Sequence, residues 1–300
     1  MLDKKQRQRL EKIVAPYRIT RGKGFRLKDF DPDDTAGLSM DKAEAKELLA
    51  QGVALMAQLQ DRLYAQDRWS LLAVFQAMDA AGKDGTVKHV FSGVNPQGCQ
   101  VHAFKQPSSE ELDHDWLWRH YKALPERGRI GIHNRSHYEE VLITRVHPGV
   151  LANQKIPDAL RGKRLIDQRL SDIVAFEDYL SRNGMLVQKF FLHVSKAEQK
   201  KRFLERIDQP AKNWKFAMSD VTERAKWDAY QEAYEDAIRA TATPAAPWYV
   251  VPADNKWFTR IVVAGALVLA LDAIDLAYPK LAPDAARQLE EARQALLAEK

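Results

Sequence analysis

The sequence predicts an α/β protein in which a parallel β-sheet is packed between helices. Apolar runs with the length of buried strands alternate with segments of helical periodicity along most of the chain. Strands that are separated by helices in this way usually form a parallel sheet with helices on both faces. The chain has 300 residues and 45% hydrophobic content, which is enough to bury a large core.

The alternation of predicted elements begins near residue 40. A long helix is predicted over residues 40–66, where apolar residues share one broad face. Strands are predicted at residues 71–77, 99–104, 129–133, 186–194 and 248–252. Further helices are predicted at residues 86–92, 110–124, 136–144, 164–183, 196–207, 222–240, 257–277 and 285–298. The parallel arrangement would bring the carboxyl ends of the strands to one edge, where ligands bind in such sheets.

The two ends of the chain are predicted to lie outside the main domain. Residues 1–40 form an N-terminal extension, a polar leader with a short helical pattern over residues 4–13. Its basic segment 21–27 is interpreted as an arm packed on the surface rather than a substrate contact. The main domain is assigned to residues 41–280, and residues 281–300 to a charged C-terminal helix.

Composition and charge exclude several classes of protein. The net charge of +5 is too small and diffuse to predict a nucleic-acid partner. Cys99 is the single cysteine, so a disulfide within the chain and a cysteine-based zinc site are both impossible. The histidines lack a zinc-binding spacing. The N-terminus lacks the apolar core of a signal peptide, and the longest apolar run, residues 261–271, is too short to cross a bilayer. These features predict a cytoplasmic protein without a membrane partner.

The most informative segment joins the first predicted strand to the helix that follows it. Residues 77–86 read A-M-D-A-A-G-K-D-G-T. A glycine-containing loop between a strand and a helix can hold a phosphate with backbone N–H groups, to which Lys83 adds a point charge. Relative to G-x-x-x-x-G-K-[ST], Ala77 replaces the first glycine and Asp84 replaces the hydroxyl residue, although Thr86 offers a hydroxyl nearby. The alternative is an ordinary βα turn, but Asp79 beside a phosphate-binding lysine favours a site that holds a cation or a proton.

A second polar cluster follows the third predicted strand. Residues 130–140 read I-G-I-H-N-R-S-H-Y-E-E. Arg135 is suited to bind a phosphate with its planar fork, and Glu139 or Glu140 to bind magnesium or a proton. The alternative for the two glutamates is an exposed first helical turn, where acids complement the helix dipole. Because they are adjacent in sequence, at most one of them should face the centre of a site.

Residues 208–220 interrupt the regular alternation of elements. They form a proline-containing connection that follows a helix rich in lysine and arginine. We interpret this region as a cationic lid, because phosphoryl transfer requires exclusion of water and neutralisation of charge. The alternative is a solvated helix face followed by an ordinary loop. Trp214 in this connection is interpreted as a packing anchor rather than a platform for a base.

Taken together, these motifs resemble the polyphosphate kinase 2 family. Residues 79–86 are similar to the D-A-A-G-K-x-G-T loop of that family, and N-R-S-H-Y-E-E-V-L at residues 134–142 is similar to its second signature. G-V-N-P-Q-G at residues 93–98 also agrees, as do Phe104-Lys105, W-K-F at residues 214–216 and Ser219-Asp220. The resemblance runs from about residue 27 to residue 271, with the motifs in the order of the family.

The resemblance implies a fold and a reaction. It implies a P-loop kinase-like, three-layer α/β/α fold with a five-stranded parallel sheet and a helical lid at about residues 196–223. It also implies reversible, Mg²⁺-dependent phosphoryl transfer between inorganic polyphosphate and a nucleotide, with Mn²⁺ as a second possible metal and a homo-oligomer as the assembly. The branch that phosphorylates nucleoside diphosphates has an aspartate where this chain has Asn134, and N-R where it has Glu139-Glu140. With Asn134 and Glu139-Glu140, this chain instead resembles the branch that converts both AMP and ADP, giving ADP and ATP.

The resemblance also implies roles for individual residues. The catalytic residues are Asp79, Lys83 and Arg135. The residues implied to bind phosphate and nucleotide are Ala80, Ala81, Gly82, Asp84, Gly85, Thr86, Lys105, Asn134 and Glu139. The lid residues implied to bind polyphosphate are Lys200, Lys201, Arg202, Arg206, Lys212 and Lys215. Asp79 and Glu139 are the candidate ligands of Mg²⁺.

Three alternative functions remain open from the sequence. One is a polyphosphate:ADP phosphotransferase without activity on AMP. Another is an ATP-dependent small-molecule kinase on the same fold, which would use the same loop. A non-catalytic polyanion-binding protein is the third, but it does not explain Asp79 beside Lys83. Formation of ADP from AMP and polyphosphate in the absence of ATP distinguishes all three from the main hypothesis.

Overall fold

Six strands form one mixed sheet at the centre of the molecule. The computed structural model describes residues 2–299. The strands are β1 (Arg18–Ile19), β2 (Ser70–Ala77), β3 (Cys99–Ala103), β4 (Ile130–Asn134), β5 (Met185–His193) and β6 (Trp248–Pro252). Their order across the sheet is β1-β6-β5-β2-β4-β3. Strands β2 to β6 run parallel to one another, and β1 pairs antiparallel with β6.

The α-helices form a layer on each face of the sheet. They are α1 (Lys4–Val14), α2 (Lys42–Gln66), α3 (Lys83–Val90), α4 (Ser109–Asp113), α5 (Trp118–Lys122), α6 (Glu139–Val146), α7 (Pro148–Ala152), α8 (Leu165–Arg182), α9 (Lys196–Asp208), α10 (Met218–Arg224), α11 (Trp227–Thr241), α12 (Lys256–Asp272) and α13 (Pro283–Ala298). Helices α1, α2 and α3 pack against α12, whereas α6, α8 and α11 pack against one another. None of the helices within residues 2–299 has the length and apolarity needed to cross a membrane.

The core lies around the central strands β2 and β5. Every residue of β2 is buried, as expected for a parallel strand covered on both faces. The rings of Phe75, Phe190 and Tyr249 stack across β2, β5 and β6, with 5.1 Å between successive centroids. In this register Phe75 of β2 lies beside Asn134 at the end of β4. The loops that follow β2 and β4 therefore leave the same edge of the sheet side by side.

The sheet differs from the prediction at its edge. All five predicted strands are present, but the sheet has six strands rather than five and is mixed rather than purely parallel. The additional strand, β1, has only two residues, so it carries no detectable alternation of apolar and polar side chains. It belongs to the region predicted as a polar leader, in which Val14, Tyr17 and Leu27 are buried. The arm at residues 21–27 packs on α11, where Glu235 accepts a hydrogen bond from the Leu27 N–H at 2.7 Å.

Two predicted helices are each divided into two. The helix predicted over residues 110–124 is α4 and α5, separated by His114 in an extended conformation. The side chain of Asp115 accepts a hydrogen bond from the N–H of Leu117 at 2.6 Å, a local turn that competes with the helical pattern. The helix predicted over residues 222–240 is α10 and α11. The short helix α7 was not predicted.

Candidate active site

The loop between β2 and α3 has the backbone conformation of an anion-binding site. Ala80 and Gly82 adopt left-handed φ angles of 62° and 103°. The N–H of Thr86 donates to the carbonyl of Gly82 at 2.9 Å and closes the first turn of α3. The first N–H groups of a helix have no partner within it, and together with the helix dipole they attract an anion. The structure therefore supports a phosphate site at this loop.

Two side chains of α9 donate hydrogen bonds to carbonyl groups of the loop between β2 and α3. Gln199 Nε2 donates to the carbonyl of Asp79 at 2.9 Å. Arg202 Nη1 donates to the carbonyls of Ala80 and Ala81 at 3.1 and 2.9 Å. Three successive carbonyls are thus occupied by α9, and this fixes the orientation of the peptide groups that form the loop.

Arg202 is placed differently from the prediction. It was predicted as a lid cation that binds polyphosphate, but only 5% of the residue is exposed. Its Nη2 donates to the carbonyls of Ala253 and Asp254 at 2.6 and 3.0 Å, and its Nε donates to Glu198 at 2.8 Å. With the two bonds to the loop, the guanidinium is fully used inside the protein. Arg202 is therefore a clamp between the phosphate loop and the β6–α12 connection.

Lys83 lies at the start of α3, partly buried. Its Nζ donates to the carbonyl of Ala77, the last residue of β2, at 3.1 Å. Burial is the main cause that lowers the pKa of Lys83, and the charge of Arg135 acts in the same direction. Asp79, Glu139 and Asp84 oppose this shift. The lysine thus sits among three carboxylates at the mouth of the loop.

The second cluster meets the phosphate loop in space. Asn134 Nδ2 donates to Asp84 Oδ1 at 2.8 Å. Arg135 Nη2 lies 3.1 Å from Asp79 Oδ1, and Arg135 Nη1 lies 3.7 Å from Glu139 Oε2. Burial disfavours the charge of Arg135, but Glu139 and Asp79 outweigh it and raise the pKa of Arg135. Residues 50 or more positions apart in sequence therefore form one charged constellation.

The two adjacent glutamates have different surroundings. Glu139 faces Arg135, whereas Glu140 is buried on the other side of the helix. Glu140 lies 3.6 Å from Arg119 and 3.4 Å from Arg169. Of the two, Glu139 lines the cavity described below and Glu140 does not, as expected if at most one of them faces the centre of a site.

A small cavity opens between the phosphate loop and the segment predicted as a lid. Asp79, Arg135 and Glu139 line it. It is also lined by residues that the sequence reasoning did not assign: Gln199, Asp220, Glu223, Arg224, Tyr230 and Tyr234. Tyr230 and Tyr234 are one turn apart on α11, a spacing that the sequence shows, but nothing in the sequence indicates which face of α11 meets the site. Burial, and next Glu139, raise the pKa of Tyr234 well above its ordinary value.

Lys105 lies apart from this cavity. It follows β3 and lines a second hollow of about 460 Å³, together with Phe104, Arg119 and Lys122. The N–H of Phe104 donates to the carbonyl of Asn134 at 3.1 Å, so the hollow adjoins the charged constellation. Its volume lies in the range of small-ligand pockets, about 300–1,000 Å³.

The other predicted lid cations differ in their surroundings. Lys200, Lys201 and Lys212 are exposed. Lys201 Nζ lies 3.5 Å from Glu198, and Arg206 lies 3.9 Å from Asp220. The side chain of Lys215 lies outside the described part of the structure.

Trp214 does not have the environment predicted for it. The residue is 79% exposed, so the expectation of a packing anchor is wrong. Trp214 lies in the short 3₁₀ segment Pro210–Lys215.

The carboxylates of the cavity suit a hard cation. Asp79, Glu139 and Asp220 all line it. Among the described residues no three carboxylate, histidine or cysteine side chains are close enough to hold a metal ion unaided. Mg²⁺ typically binds to one or two carboxylates and takes its other ligands from water and substrate phosphates. The donor set therefore fits Mg²⁺ bound together with a phosphate substrate.

Comparison with known proteins agrees with these motifs. The family model described as polyphosphate kinase 2 matches residues 39–279. An ADP-polyphosphate phosphotransferase of Rhodopseudomonas palustris is 49% identical over 257 residues, which cover 85% of this chain and 89% of the relative. An AMP/ADP-polyphosphate phosphotransferase of Meiothermus ruber is 44% identical over 267 residues, 89% of this chain and 96% of the relative. The crystal structure of polyphosphate kinase 2 from Arthrobacter aurescens superimposes with a TM-score of 0.85 at 41% identity and covers 94% of this chain and 96% of that one.

Proposed function

The chain belongs to the polyphosphate kinase 2 family, and from this premise we propose that it transfers phosphoryl groups reversibly between inorganic polyphosphate and AMP or ADP. One observation carries the proposal within this structure. The two motifs that resemble the family, at residues 79–86 and 134–142, meet through the contacts of Arg135 with Asp79 and of Asn134 with Asp84, and Asp79, Arg135 and Glu139 line one cavity. The names of the relatives support the donor and the acceptors.

The reaction is an exchange of one phosphorus–oxygen bond for another. A phosphate oxygen of the nucleotide attacks the terminal phosphorus of polyphosphate, and the bond from that phosphorus to the bridging oxygen breaks. The shortened chain leaves with the bonding electrons on that oxygen. The transition state is loose and spreads negative charge over the transferred group, so catalysis consists mainly of positioning and electrostatic stabilisation.

The phosphate loop and the cavity beside it supply both contributions. The loop at residues 79–86 presents backbone N–H groups to the transferred phosphate, and Lys83 neutralises its charge. Arg135 is held between Asp79 and Glu139, which restricts its guanidinium to the position between donor and acceptor. An arginine oriented in this way loses little entropy when it binds phosphate oxygens.

A divalent cation completes this proposal. Asp79 and Glu139 would hold Mg²⁺, or Mn²⁺ in its place. The ion, when bound, neutralises phosphate charge and aligns the reacting oxygens. Asp79 and Glu139 also orient Arg135, so each carboxylate has two functions.

The two substrates approach from different sides. Polyphosphate is proposed to lie along the lid segment (residues 196–223), where Lys200, Lys201 and Lys212 are exposed. The nucleotide is proposed to occupy the hollow beside Lys105. We retain the P-loop kinase-like fold, lid closure, the cytoplasmic location and the homo-oligomer as predictions.

The test uses the purified protein with Mg²⁺, polyphosphate and AMP, followed by chromatography of the nucleotides. ADP and then ATP should form without added ATP, because the donor is polyphosphate. A parallel reaction starts from ADP. Formation of ATP from ADP, but no product from AMP, would retain the donor and discard AMP as an acceptor. The absence of product from both would contradict the proposed function and favour an ATP-dependent kinase.

A further inference from the structure

A buried polar cluster lies beneath the turn that carries Arg135 and Glu139. We define it as Lys189 of β5, Glu177 of α8, Thr241 of α11, and His137 and Tyr138 of the turn; all five are at most 1% exposed. Lys189 Nζ donates to Glu177 Oε2, to the carbonyl of Thr241 at 2.8 Å and to the hydroxyl of Tyr138 at 3.1 Å. The cluster therefore joins two helices, a strand and the turn.

Stability alone does not account for such a pair. Removing two charges from water is costly, and replacing a buried ion pair by apolar residues is often neutral or stabilising. Lys189 and Glu177 do not line the active-site cavity, so they have no contact with a substrate there. What distinguishes them is the segment that they hold.

That segment consists of three buried residues between two active-site side chains. Ser136, His137 and Tyr138 are all fully buried, whereas Arg135 and Glu139 on either side reach the cavity. Tyr138 donates its hydroxyl to Glu177 Oε1 at 2.9 Å, and His137 Nε2 lies 3.3 Å from the same oxygen. The position of Glu177 thus fixes two consecutive side chains of the turn.

The backbone of the turn needs such support. Arg135 has a φ angle of 66°, which a residue with a Cβ seldom adopts. A strained conformation of this kind persists only where the surrounding structure imposes it. If the turn relaxed, the guanidinium of Arg135 would leave its place between Asp79 and Glu139.

We propose that Lys189 and Glu177 are a positioning pair for phosphoryl transfer: they hold His137 and Tyr138, and through them set Arg135 and Glu139 at the reacting phosphate. The inference rests on the proposed function. It assigns a catalytic consequence to two residues that touch neither substrate.

The test separates positioning from stability by means of a double variant. Lys189→Met leaves Glu177 buried without its partner and should lower the free energy of unfolding. The double variant Lys189→Met/Glu177→Met removes both charges with little change of volume, so stability should largely return. Its turnover should not return, because His137 and Tyr138 have lost their common acceptor. We expect kcat to fall about 10- to 100-fold, with KM for ADP and polyphosphate changed less than about threefold, as for a small displacement of catalytic groups.

A second variant and a control variant are measured together with the double variant. Tyr138→Phe removes a single hydroxyl and should lower kcat by a smaller factor in the same direction. Asp272 at the end of α12 is a comparable buried carboxylate, which accepts from Arg7 and from the N–H of Leu2. It lies at the far end of a 17-residue helix, about 25 Å from the start of α12. Asp272→Asn should reduce stability while kcat stays within twofold.

Each outcome is informative. A folded double variant with the kcat of the parent protein would overturn the positioning role. An equal loss of kcat in Asp272→Asn would do the same, because it would trace the effect to general destabilisation. Absence of polyphosphate-dependent turnover in the parent protein would overturn the proposed function, and this inference with it.

Discussion

Replacing Arg202 by alanine tests the difference between a clamp and a lid cation. In the structure its guanidinium donates to the carbonyls of Ala80 and Ala81 in the phosphate loop and to those of Ala253 and Asp254 in the β6–α12 connection. Its Nε also donates to Glu198. The substitution removes all five contacts at a site that is almost completely buried.

The burial of Arg202 determines how much stability the substitution should remove. Removing one partner of a buried, hydrogen-bonded charge pair typically costs about 3–5 kcal/mol, because the other partner is left buried without its counter-charge. Glu198 retains a path to solvent and to Lys201, so we expect a loss at the lower end, roughly 3 kcal/mol in the free energy of unfolding. Displacement of the loop should lower kcat on the order of 100-fold.

Two measurements on the same preparations decide the question. Urea denaturation gives the free energy of unfolding, and steady-state formation of ATP from ADP and polyphosphate gives kcat and KM. Lys200→Ala is the matched comparison, since Lys200 is two residues away on the exposed face of α9. It should raise the KM for polyphosphate and change stability by less than about 0.5 kcal/mol.

The clamp predicts that Arg202→Ala loses stability and kcat together. Suppose instead that Arg202→Ala keeps the stability and kcat of the parent protein and raises only the KM for polyphosphate, as Lys200→Ala does. Arg202 would then be a cation for the polyanion, and the role derived from its burial would be refuted.

Three further predictions concern the phosphate loop and the cavity beside it. Lys83→Ala and Arg135→Ala should each lower kcat at least ~100-fold, the typical cost of removing one oriented donor to a developing charge; near-normal steady-state turnover would remove that residue from the mechanism. Activity should fall as pH rises through the pKa of Lys83, which burial lowers below 10.5, because the reaction needs the protonated lysine. Lys83→Arg should move this alkaline limb of the kcat/KM profile to higher pH, and an unmoved limb would assign it to another group. Removal of Mg²⁺ with a chelator should abolish turnover, and Asp79→Asn should raise the Mg²⁺ concentration needed to restore it; an unchanged requirement would exclude Asp79 as a ligand.

Local patterns in the sequence were sufficient to predict much of the fold. The main strands other than the edge strand β3 are short apolar runs between turn residues, and burial on both faces of a parallel sheet produces that pattern. The phosphate loop was predicted for a similar reason, since its glycine and lysine lie within ten consecutive residues. Glu139 and Glu140 were separated correctly because adjacent residues on a helix point in different directions.

The features that the sequence did not predict depend on packing between elements distant in the chain. Arg202 was predicted as a lid residue because it belongs to the basic helix that precedes the proline-containing connection, but its partners include carbonyls more than 50 and 120 positions away. The Lys189–Glu177 pair likewise depends on elements that are separate in the chain. The face of α11 that carries Tyr230 and Tyr234 is set by the packing of α11 against α6 and α8. The sequence alone determined the main strands, the loop at residues 79–86 and the charged residues proposed for the site. Only the tertiary structure decided which of those charges line the cavity and which are buried inside the protein, because burial depends on elements distant in the chain.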